Sequence, residues 1–129
     1  PSKEKTMTTS TTTSKIMILD NGIVVNKLIT PSAFKEPYIL EQGLQLDYLC
    51  NGQEKPLLLD ISCIHGTTEN IKQMISHNRF YSAKSMAVLI KSNFQKQFLL
   101  LWCKIINPGF PVQFFVKKKN AINWLKNYC

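Results

Sequence analysis

From residue 15 onward, short apolar runs alternate with longer stretches in which apolar side chains recur every three or four positions, and each change of period marks an element. The stretch "KIMILDNGIVVNKLI" consists of two β-rich runs separated by Asp20-Asn21-Gly22. Asn-Gly between such runs predicts an antiparallel hairpin closed by a type I′ turn, which needs positive φ at both central residues. After Thr30-Pro31 the pattern lengthens. Phe34, Tyr38, Ile39, Leu40, Leu44, Leu46, Tyr48 and Leu49 are interleaved with polar residues. This predicts a helix that starts near Glu36, carries Pro37 in its first turn and stops at "CNGQEK".

The run "KPLLLDIS" is unbroken and apolar, as expected of a strand buried on both faces. "GTTENIKQMISHNRF" follows as a helix of about three turns, with Thr67 or Thr68 as N-cap and Ile71, Met74, Ile75 and Phe80 along one side. "SMAVLIKS" is a second buried strand. In the next helix Ser92 and Gln95 form a capping-box pattern, Phe94, Phe98, Leu101 and Ile105 repeat at helical spacing, and Asn107-Pro108-Gly109 marks the stop. "FPVQFFV" is a last strand, and a short helix burying Ala121, Ile122, Trp124, Leu125 and Tyr128 closes the chain.

The order β, β, α, β, α, β, α, β, α predicts a single α/β domain over residues 15–129. One mixed sheet would begin with the antiparallel hairpin and continue through parallel strands joined by helical crossovers, with about four helices packed on it. Residues 1–14, "PSKEKTMTTSTTTS", offer almost nothing to bury and are expected to form a mobile Thr/Ser-rich arm outside the domain unless a neighbour orders them.

Charge modifies this picture only slightly. The chain of 129 residues has a formal net charge of +8, so a polyanion has to be considered as partner. Yet the lysines are mostly scattered, and arginine, the residue best suited to bidentate phosphate contacts, occurs once, as Arg79. That distribution disfavours nucleic acid. Lys117, Lys118 and Lys119 stand at the entry of the last helix, where an anion could bind although the helix dipole opposes their charge.

The cysteines form no C-x-x-C pair, and Cys63, His65 and His77 fall short of a metal-ligand set, so neither a metal nor another cofactor is expected. No apolar stretch is long enough to cross a bilayer, and the opening residues lack the apolar core of a signal peptide. With free thiols, this predicts a cytoplasmic setting.

Catalytic inventory is poor. Asp60, at the end of a buried strand, lies near the edge where open α/β sheets bind ligands and could pair with His65. The commoner role of such an Asp is to tie down the following loop. No phosphate loop or nucleophile elbow is present, so the chain is not expected to be an enzyme. In "FLLLWC", Phe98, Leu99, Leu101 and Trp102 are apolar around nearly the full helix circumference. Such a surface suits a subunit interface, or the wall of a pocket for an apolar ligand.

The sequence also resembles a known family. "PLLLDIS" before a Thr-capped helix, "SMAVLIKS" before a capped helix and the closing "PVQFFVKKKNAINWL" are similar to the STAS-like, SpoIIAA-like family of small bacterial α/β proteins, with Phe115, Ala121, Trp124 and Leu125 at the matching positions. The resemblance spans roughly residues 15–128. It implies a mixed sheet and a non-catalytic role in protein interaction or regulation, with a protein partner; the apolar surface of "FLLLWC" adds the expectation of a homodimer. Binding of an apolar, lipid-like or an anionic small ligand is the alternative. In anti-sigma-factor antagonists of this fold, a serine at the start of the helix after the Leu-Asp strand is phosphorylated. Here the chain departs from that pattern: after Asp60 it reads "ISCIHGTTENI", and the nearest hydroxyls are Thr67 and Thr68, either of which the N-cap role also explains.

Overall fold

The hairpin expected at residues 15–29 forms the last two strands of a three-stranded antiparallel meander. The computed structural model describes residues 5–76, 83–106 and 109–129. Three strands, β1 (Lys5–Ser10), β2 (Ser14–Leu19) and β3 (Val24–Leu28), pair antiparallel. The chain then alternates through α1 (Glu36–Cys50), β4 (Pro56–Asp60), α2 (Thr68–Ser76), β5 (Ser85–Leu89), α3 (Asn93–Ile106), β6 (Val112–Phe115) and α4 (Lys118–Leu125). Strands β3 to β6 pair in parallel, and the described residues form a single six-stranded sheet in the order β1-β2-β3-β4-β5-β6. His77, Arg79, Phe80, Asn107 and Pro108 lie outside the described residues, as does the side chain of Phe94.

Two expectations are corrected. The free arm proposed for residues 1–14 is, from Lys5 to Ser10, an edge strand. Ladder hydrogen bonds come from the backbone, and β-branched threonine suits a strand, so a segment with little to bury can still pair with an open edge. Its turn is tied down by side chains. Ser14 N donates to Thr11 Oγ1 at 3.0 Å, while Thr12 donates from N and Oγ1 to the Glu41 carboxylate on α1 at 3.0–3.2 Å.

The second correction concerns the β2–β3 turn. Gly22 N donates to Leu19 O and Leu19 N to Ile23 O, both at 2.9 Å, and positive φ falls on Gly22 alone (90°) rather than on Asn21 as well. This is a three-residue connection in which a tight turn is followed by one left-handed glycine, a geometry that also matches strand twist. Asn21 Oδ1 accepts from Ile23 N at 3.1 Å and fixes it.

Because neighbouring parallel strands are consecutive in sequence, crossovers of one hand stack their helices on one face of the sheet. Ile39, Leu46 and Cys50 of α1, Ile71, Met74 and Ile75 of α2, and Leu99 and Cys103 of α3 share one core with Val24, Leu57, Leu59, Met86, Val88 and Phe114. α4 packs on the opposite face, where Ala121 and Leu125 meet Val25, Leu58, Ala87 and Leu89. Trp124 sits between Phe115 and Tyr128, with ring centroids 5.9 and 5.0 Å away.

One polar network is buried beneath α1. Asn26 Nδ2 donates to Gln42 Oε1 at 2.9 Å, and Gln42 Nε2 donates to Ala33 O at 3.1 Å and to Thr13 Oγ1 at 3.4 Å. These bonds tie helix, strand and both flanking loops to one register, since any slip would leave buried amides unpaired.

Candidate functional site

The parallel strands β4 and β5 end side by side, and the loops that follow them lead into α2 and α3. Between these loops lies a cavity of about 220 Å3, lined by Ile61, Ile64, His65, Gly66, Lys91 and Gln95 among others. This is the edge where open α/β sheets place ligands. The loop geometry follows from local chemistry. Asp60, 5% exposed, accepts from Ser62 N at 3.0 Å and from Ser62 Oγ at 2.6 Å. Thr67 caps α2 reciprocally: Asn70 N donates to Thr67 Oγ1 and Thr67 N donates to Asn70 Oδ1, both at 3.1 Å. Gln95 Nε2 reaches across to donate to Gly66 O at 3.5 Å.

Gly66 is required for a steric reason. A Cβ there would stand 2.7 Å from the Phe34 Cζ atom, closer than atoms can pack, and Phe34 is itself buried. No pattern in the sequence marked that contact, because it joins a loop to a single turn of 3-10 helix at Pro31–Phe34.

The other candidate residues are dispersed. Thr68 is the first residue of α2 and half-buried, while His65 and Cys63 are exposed. Among the described residues no three His, Cys, Asp or Glu side chains cluster as a metal would need. Of the three lysines, Lys117 is the N-cap of α4 and Lys118 lines a cavity with Lys126, Asp20 and Asn21 over Leu19 and Ile122. All four cysteines are free, and burial pushes the Cys103 thiol up to about 11.

The apolar run on α3 is divided by the fold. Leu99 is fully buried, which removes it from the expected interface, whereas Phe98 and Leu101 are 63% and 60% exposed and Trp102 is half-buried. Ile105, 76% exposed, continues the outer stripe. The helical spacing of Phe98, Leu101 and Ile105 therefore marks the outward side of α3, and Leu99 and Cys103 face the sheet. A second outer stripe, missed in the sequence, runs along α1 as Leu40, Leu44 and Tyr48, the last 78% exposed. Its i, i+4, i+8 spacing was visible, but α1 is apolar on two sides and the pattern alone does not say which side meets the sheet.

These features define a SpoIIAA-like α/β fold. The architecture is similar to a crystal structure of an uncharacterized protein of the DUF3478 family from Shewanella loihica PV-4, described as having a SpoIIAA-like fold, with a TM-score of 0.59, 18% sequence identity, and coverage of 93% of this chain and 99% of that one. The chain itself belongs to the DUF7793 family, a domain of unknown function whose model matches residues 17–129. No curated protein matches the chain. Among the described residues no helix is long and apolar enough to cross a membrane.

Proposed function

We propose that this chain is a non-catalytic protein-interaction or regulatory module of STAS type, working in the cytoplasm as a homodimer. The observation that carries the reading is the pair of exposed apolar stripes on α1 and α3, with Tyr48, Phe98, Leu101 and Ile105 each more than half exposed on one side of the molecule. Apolar side chains concentrated this way on a soluble domain mark a protein contact. The loop edge supports the same conclusion from the other direction: Asp60 Oδ1 and Thr67 Oγ1, on the groups best placed for chemistry, hold the loop by accepting from Ser62 and Asn70.

Light scattering of the purified protein tests the reading. The wild type is expected at twice the monomer mass, and Leu101→Asp at the monomer mass with an unchanged circular dichroism spectrum. Turnover of a metabolite mixture that Asp60→Ala abolishes would contradict it.

A second reading rests on the cavity between the β4 and β5 loops. Its size, the cationic Lys91 and the N-termini of α2 and α3 suit a small anionic ligand. A Lys91→Glu variant that loses the binding of such a compound, with dimer mass intact, would favour it.

A further inference from the structure

The two stripes differ in the charge around them. Within α1 the charged residues are Glu36, Glu41 and Asp47, all acidic, and within α3 they are Lys96 and Lys104, both basic. Between them lies α2, whose outer side carries Glu69 and Lys72 as an ion pair of 3.5 Å. The helix layer thus runs from acidic through neutral to basic, with an apolar stripe at each flank.

We propose that a second copy of the chain covers this layer about a two-fold axis running along α2, so that α1 of each copy packs on α3 of the other; this rests on the homodimer reading above. An axis in that direction places each acidic stripe on a basic one and sets the neutral α2 against its own copy. The alternative two-fold, perpendicular to the helices within the interface, would lay α1 on α1, an acidic helix on an acidic helix. Like charges in such proximity oppose association, whereas the crossed pairing attracts.

Register supports the crossed arrangement. Both helices start at the same edge of the sheet and run back across it. Asp47 and Lys104 are each the twelfth residue of their helices. An axis along the helices preserves height, so Asp47 meets the partner's Lys104. Both are exposed in the monomer. The layer is large enough: three helices at about 10 Å spacing and about 20 Å length give a footprint of about 600 Å2. That approaches the roughly 800 Å2 per partner of a stable interface before side-chain relief is counted.

The test is a charge-swap cycle read by sedimentation velocity over a concentration series. Asp47→Lys and Lys104→Glu are each expected to weaken self-association about tenfold, and the double variant to return to within about threefold of wild type. If Asp47→Lys leaves association unchanged or tightens it, the α1-on-α3 pairing is overturned while dimerisation stands. A wild type that remains monomeric throughout overturns the homodimer reading and this pairing with it. Both positions are exposed, and a parallel Ile105→Asp variant, expected to be monomeric, shows whether the α3 stripe is in the contact at all. A dimer that survives Ile105→Asp contradicts the pairing.

Discussion

The loop-edge cavity and the outer surface of the helix layer are built on opposite terms. Around the cavity, several polar groups bond within the chain: Asp60 with Ser62 and Thr67 with Asn70 in the adjoining loop, and Gln95 of the lining with Gly66. On the helix layer, large apolar side chains stand in solvent, and the charges beside them differ in sign between α1 and α3. A region whose potential interactions are already made serves the fold. One whose interactions remain open is where a partner gains free energy by binding.

That contrast can be broken by substitution, most strongly where the two sides of one helix are compared. Leu99→Ala empties a fully buried site and is expected to cost about 2–5 kcal/mol in chemical denaturation. Leu101→Ala, two residues on, is expected to change monomer stability by no more than about 0.5 kcal/mol. Equal losses at both would mean that α3 is rotated relative to the sheet. Next in size, Gly66→Ala forces the Phe34 ring to move and is expected to cost about 1–3 kcal/mol. A stability equal to wild type would show that the loop at the cavity is not closely packed.

Thr67→Ala removes the cap of α2 and is expected to cost about 1 kcal/mol, with Thr67→Ser recovering most of it. A smaller effect comes from Cys103, whose thiol stays neutral in the fold up to about pH 11 but ionises near 9.0 when exposed. Its raised value stabilises the fold below pH 9, and that contribution is lost as pH rises toward 11. The wild-type melting temperature is therefore expected to fall more steeply over that interval than that of Cys103→Ala. The smallest effect is Lys118→Glu, which replaces a cation at the positive end of α4 with an anion and is expected to raise the melting temperature by about 1 °C.

How much of this was readable in the sequence varied with the physics. The β2–β3 hairpin, the parallel strands "PLLLD" and "SMAVL", and the stop of α1 at Asn51-Gly52 all follow from local chemistry, and the fold class follows from their order. β1 was not legible, because an edge strand held by backbone pairing leaves little trace in side-chain pattern. The phase of α3 was hidden by its composition: a run that is apolar all round does not show which of Leu99 and Leu101 turns inward. The contact of Gly66 with Phe34 and the grip of Glu41 on Thr12 join residues far apart in the chain, and only tertiary structure brings them together.

The most direct test of the central claim is hydroxyl-radical footprinting of the wild type at low and high protein concentration. Labelling of Tyr48, Phe98, Leu101 and Ile105 is expected to fall as concentration rises, while labelling of His65 at the loop-edge cavity stays constant. Protection of His65 with no change on α1 and α3 would contradict it.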